Sequence, residues 1–240
     1  MDAMHTPAEL ERYKRATEGL GIAISELTWL RDFFWVIVLD ERRAYYFDIL
    51  GKRADGLSAR SSTFYACSSS ARAAATNEEN PAKKVLWLCI AGVCLARAYA
   101  LSQRLVRQIG TLRLTNGQLN IRAYILAAVR KYQEAHYCID LILENPDASA
   151  DNQALMYRLR ADICRSQKDY ADAEMAIQEA LSFRTQLSAS TLVRIFRSYA
   201  LLRRAQDRLR EAENIEADAN ALAGQHGLPG QQEKIRVIPV

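Results

Sequence analysis

At 240 residues, half of them hydrophobic, the chain can bury a core in one elongated domain or two small ones. Ten glycines and five prolines leave few breaks, so helices should dominate. The 32 basic and 28 acidic residues give a net charge of +4, mixed along the chain without the localised basic excess of a dedicated nucleic-acid binder.

Thr6-Pro7-Ala8-Glu9 reads as a helix start, with Thr6 as cap, Pro7 at the first helical position and Glu9 completing the box. The helix should loosen at Gly19 and Gly21. A second helical stretch, Ile22 to Leu50, carries Ile24, Leu27, Leu30, Phe34, Ile37 and Val38 at three- and four-residue spacing. Its aromatics, Trp29, Phe33, Phe34 and Trp35, surround the helix and should be covered on more than one side. A short strand over 35–39 is the alternative.

Gly51 and Gly56 bracket a turn, and residues 58–76, rich in Ser and Ala, read as a helix or, through Ser68–Ser70, as a linker. Asn77 to Pro81 breaks the chain. A helix from Ala82 to about Ile109 follows, then an Asn116-Gly117 turn. Helices are expected near 118–130, 132–144, 149–167, 169–184, 189–205 and 207–223. Asp169 and Asp207 would be N-caps, and Asn145-Pro146 and Gly224 would mark ends. The tail from Gln225 to Val240 should be extended.

The polar residues 1–20 do not resemble an export signal. The apolar runs Val85–Ala96 and Phe33–Leu39 fall short of the roughly 20 residues of a membrane span, so both read as buried helices and no span is expected, with a peripheral or membrane-complex setting as the alternative. Cys67, Cys89, Cys94, Cys138 and Cys164 are scattered and odd in number, which suggests reduced thiols in an intracellular, reducing compartment. Without a C-x-x-C pair, neither a metal site nor a cofactor is expected.

The second half of the chain repeats itself. Ala123 and Ala135, Ala161 and Ala173, and Ala200 and Ala212 form pairs 12 apart, recurring after 38 and 39 residues. Tyr132, Tyr170 and Leu209 stand three residues before each second alanine. Small residues at such intervals let paired helices approach closely.

Over about residues 116–224 these units resemble the tetratricopeptide repeat. The clearest copy runs Tyr157-Arg-Leu-Arg-Ala161, then Lys168-Asp-Tyr170-Ala-Asp-Ala173, Ile177 and Ala180-Leu181. The resemblance implies an all-α fold, an α-solenoid of antiparallel helical hairpins. The chain would divide into an N-terminal helical region (1–110), the repeats (116–224) and the tail (225–240). The family's usual glycine beside the first helix is alanine here, and the spacing exceeds the typical 34 residues.

The family's register implies a concave, partner-binding surface at Asn120 and Tyr124, then Arg158, Asp162 and Arg165, then Arg194, Arg197, Leu201 and Arg204. Arginines three and four apart share a helix face, and their forks suit carboxylates or phosphates. An acidic segment of a protein partner is the corresponding ligand; internal pairing with neighbouring carboxylates is the competing reading. The carboxylate-clamp members need asparagine where Tyr124, Asp162 and Leu201 stand, so that specificity is not expected.

His5, His136 and His226 are the only histidines, none in a nucleophile arrangement, and no phosphate loop occurs. The expectation is a non-catalytic adaptor or structural subunit of a larger intracellular assembly. An RNA- or DNA-associated repeat protein using its arginines is the alternative. The tail's Ile235, Val237 and Val240 could add a strand to another subunit or fold back.

Overall fold

The computed structural model describes the backbone of residues 6–29 and 33–228, and side chains over the same spans except 25–29, 33–35 and 37. The N-terminal aromatics Trp29, Phe33, Phe34 and Trp35 therefore have undescribed side chains, and the tail beyond Leu228 lies outside the described residues. The described residues are helical, without strands. They form α1 (Pro7–Trp29), α2 (Phe33–Ile49), α3 (Arg53–Thr76), α4 (Pro81–Ile109), α5 (Asn116–Ala128), α6 (Tyr132–Leu143), α7 (Ala150–Ser166), α8 (Tyr170–Ser182), α9 (Ala189–Ala205) and α10 (Leu209–Gln225). The chain divides into two compact units, Met1–Ile121 and Arg122–Val240, with the dividing point inside α5.

In the first unit α1 begins with the expected capping box. Thr6 Oγ1 accepts from the Glu9 amide at 3.3 Å, and the Glu9 carboxylate accepts from the Thr6 amide at 2.7 Å. The helix does not loosen at Gly19 and Gly21 but runs on to Trp29. A side chain at Gly21 would come within 2.8 Å of the Arg43 guanidinium, so this glycine marks close approach to α2 rather than a break. Residues 35–39 are helical, which removes the strand alternative.

Gly51, at φ +67°, makes the turn into α3. Gly56 lies inside α3, where a Cβ would sit 3.0 Å from Phe47 Cβ. Helix α3 is the centre of this unit, in contact with α1, α2 and α4. It is helix throughout, and the run once compatible with a linker is interior: Ser68 and Ser70 are buried beside Cys67, Ala71 and Ala74. Buried hydroxyls turn onto their own helix, as where Ser61 Oγ donates to the Ser58 carbonyl at 2.9 Å. Asp40 is also buried, and Arg60 Nε donates to it at 3.0 Å; burial nevertheless pushes the Asp40 carboxyl up, against the opposing pull of that bond.

Asn80 caps α4 by accepting from the Ala82 and Lys83 amides at 3.0 and 3.2 Å, ahead of Pro81. One side of α4 packs on α3 through Ala91, Cys94, Leu95, Ala98, Leu101 and Leu105. Cys67 of α3 hydrogen-bonds Cys94, which holds the Cys94 thiol below its ordinary value against the effect of burial. The apolar run in α4 is not a buried helix as expected: Val85, Leu86, Leu88 and Val93 are all more than half exposed. The 12-residue run understated the helix, which spans 29 residues and is long and apolar enough by composition to cross a membrane. Only 33% of its most apolar window is buried inside the protein.

In the second unit α7 packs on α8, α9 packs on α10, and α7 and α8 both contact α9, while α6 contacts α7. The turns entering α6, α8 and α10 share one geometry. Arg130, Lys168 and Asp207 all take positive φ, at 62°, 66° and 60°, and stand 38 and 39 residues apart. In each, the next residue's amide closes a 2.9 Å bond to a carbonyl five residues back: Lys131 to Leu126, Asp169 to Cys164, Arg208 to Arg203. Ser149 and Ser188 cap α7 and α9 in matching extended conformations.

Three sequence expectations shift here. Asn116-Gly117 opens α5 rather than forming a turn, because Thr115 and Gln118 cap it reciprocally. Asp169 does cap α8, but Asp207 occupies the left-handed turn and Arg208 stands at the cap position of α10. Gly224 lies within α10, and the left-handed residue after it is Gly227.

Candidate functional site

The polar face shared by α7 and α9 centres on one carboxylate. Residues 158, 162 and 165 recur at the four- and three-residue spacing that keeps side chains on one helix face. Arg158 Nη1 and Arg165 Nη2 each approach Asp162 to 3.6 Å, and Ser198 of α9 donates to Asp162 at 2.5 Å. Arg158 Nη2 also donates to the Tyr124 hydroxyl at 2.7 Å, with its guanidinium carbon 5.6 Å from that ring's centre. All three charged side chains are less than a fifth exposed. Two guanidiniums face one carboxylate, so this trio carries a net positive charge in partial shelter from water.

Arg197, beside Ser198 in sequence, has Nε and Nη2 covered by the protein without a hydrogen-bond partner among the described residues, and burial pulls its pKa down. A half-buried guanidinium in no ion pair among the described residues is the chemistry that a carboxylate or phosphate satisfies. Arg194 is exposed, Leu201 is half-buried, and Arg204 pairs with Glu216 at 2.6 Å. Asn120 is half-buried and belongs to the first unit. Tyr124, Arg158, Asp162 and Arg165 are thus drawn together, whereas Arg204 is spent on a carboxylate of its own hairpin.

Behind this face the small residues are interior. Ala123, Ala135, Ala173, Ala200 and Ala212 are fully buried, and Ala161 is 3% exposed. Ala161, Cys164, Ala173, Ala176, Ile177 and Leu202 form one core cluster, with Tyr170 and Tyr199 packed against it. Tyr132 is half-buried, while Leu209, placed by sequence in the same packing role, is 58% exposed. A leucine there lacks the ring that Tyr170 lays against the core.

Sequence reasoning missed Arg203. Its side chain is 5% exposed and donates to both Glu174 oxygens at 2.9 and 2.6 Å, to Tyr199 Oη at 2.5 Å and to Gln206 at 2.8 Å. The Arg203 bond holds the Glu174 carboxyl below its ordinary value. The available signal was Tyr199 four residues before Arg203 on one helix face, a spacing that suits ring–guanidinium stacking. His136 is half-buried in α6; burial first, and repulsion from Arg160 second, hold it below the usual histidine value. Burial also pushes the Cys138 and Cys164 thiols up, away from the nucleophilic thiolate.

A scan against protein-family models, a search of curated proteins and a search of solved structures each found no match to this chain.

Proposed function

We propose that the protein is a non-catalytic adaptor, or a structural subunit of a larger intracellular assembly, that grips an acidic segment of a protein partner on the α7–α9 face. In this reading residues 116–224 are a tetratricopeptide-like row of antiparallel hairpins, and the shared face of the first helix of each hairpin is the binding surface. The observation that carries it is Arg197, a half-buried guanidinium in no ion pair among the described residues, on the same helix as Ser198, the partner of the net-positive Arg158–Asp162–Arg165 trio.

Support for the repeat comes from its periodic ties. Tyr124 meets Arg158, Asp162 meets Ser198, and Asp151 accepts from the Ser188 amide, pairs 34, 36 and 37 residues apart. The identical left-handed turns at 130, 168 and 207 recur at the spacing of the alanine pairs. The nucleic-acid alternative draws less support, because Arg160, Arg203 and Arg204 are each committed to a carboxylate.

The test is charge reversal of Arg158, Arg165 and Arg197 together to glutamate, followed by recovery of partners from nuclease-treated extract. Recovery should fall about tenfold or more, as loss of charge-assisted bonds implies. Undiminished recovery by a folded variant overturns the assignment of this face.

A further inference from the structure

The exposed side of α4 is unlike any surface in the second unit. Val85, Leu86, Cys89, Val93 and Ala96 stand at three- and four-residue spacing, so they form one stripe about 17 Å long. Val93 is 71% exposed, and Val85 and Leu86 are 59% and 58% exposed. Isolated apolar side chains at a surface are ordinary, but a contiguous stripe marks an interaction site.

Charge decides what fits it. Helix α4 contains no acidic residue, and Lys83 and Lys84 lie at one end of the stripe while Arg97, Arg104 and Arg107 lie at the other. All five are exposed, and among the described residues none is in an ion pair. Two copies of this face would set the exposed arginines of one helix against those of the other, and the acids nearest in sequence, Glu78 and Glu79, lie before Pro81 at the far end, which disfavours self-association. Among the described residues of the stripe there is no exposed aromatic of the kind that anchors protein partners: it is aliphatic, with Cys89, Gly92 and Ala96 along it.

We propose that this face of α4 docks on an anionic phospholipid surface, the aliphatic stripe entering the headgroup–acyl boundary and Arg97, Arg104 and Arg107, which continue its face, meeting lipid phosphates. The helix lies in the plane of the membrane rather than crossing it. Its opposite side is committed to α3 through Ala91, Cys94, Ala98 and Leu105, and Arg97 and Arg104 interrupt its length. An aliphatic face flanked by Lys and Arg is the composition of interfacial helices. This inference is independent of the partner-binding face of α7 and α9.

The experiment is flotation of the full chain with vesicles of phosphatidylcholine alone, or of phosphatidylcholine mixed with phosphatidylglycerol, at low and high salt. The protein should float with the anionic vesicles, should not float with the neutral ones, and should be released by salt. Val85→Glu with Val93→Glu should lower the bound fraction about tenfold, because both positions are exposed and the charge would enter the acyl region. Gly92→Leu should raise it: a Cβ at Gly92 meets nothing within 4 Å, so the change starts into open space and adds apolar surface to the stripe. That variant would instead block a helix packing closely on the stripe. Absence of flotation on anionic vesicles, or weakened flotation of Gly92→Leu, overturns the proposal. So does a dimer by light scattering that the glutamate variant dissolves without any lipid binding.

Discussion

Arg203 shows how a residue that looks like surface charge can be structural. Its guanidinium is covered by the Tyr199 ring, 4.7 Å from the centroid, and held by both oxygens of Glu174. Removing it leaves a carboxylate and a tyrosine hydroxyl without their donor, so Arg203→Ala should lower unfolding free energy by about 2–3 kcal/mol in urea. The same bond predicts a pH dependence. Glu174 has a folded value below its unfolded one, so its contribution is present above about 4.5 and is lost as pH falls through the folded value. Wild type should therefore lose more stability on acidification below that point than Arg203→Ala does. Parallel acid curves for the two proteins would show that the pair contributes nothing.

At the scale of elements, close approach of helices is what the chain encodes most clearly. Ala173 is fully buried in one core cluster with α7 and α9 residues such as Ala161 and Leu202, where a longer side chain overpacks the seam. Ala173→Leu should lower stability by about 1–3 kcal/mol, read as a drop in melting temperature. A leucine at Gln178, exposed on the same helix, serves as the control and should leave it unchanged. Equal melting temperatures for the two variants would mean that α8 does not pack through its small residues.

The same logic explains what the sequence concealed. A 12-residue spacing of alanines and an aspartate before α8 are local signals, and the helices of the second unit lie within two residues or so of the expected bounds. Gly21 and Gly56 mislead because glycine serves two purposes. In each the missing Cβ admits a side chain from another helix, Arg43 or Phe47, and nothing local distinguishes that use from a turn. Asp207 resembles a cap by residue type, yet the three-residue turn shifts the cap position to Arg208. Among the site residues, the Arg158–Asp162–Arg165 spacing was visible on one helix. Ser198 as the fourth member was not, because its contact crosses 36 residues of chain.

At the scale of the whole molecule, the two units carry different kinds of surface. The first presents an aliphatic stripe whose cations pair with no carboxylate among the described residues, which the sequence disguised because an apolar run reads alike whether covered or bare. The second presents a polar face in which most guanidiniums are already paired and the half-buried Arg197 is in no ion pair among the described residues. The adaptor account assigns the gripping of a protein partner to this second face. Photo-crosslinking tests it most directly: p-benzoylphenylalanine replaces Arg194, exposed on α9 near this face, with Gln178 on α8 as the comparison position. The account predicts nuclease-resistant adducts from position 194 that map to an acidic segment of another protein, with none from position 178. Adducts equally abundant from both positions, or adducts from 194 that disappear with nuclease, would contradict it.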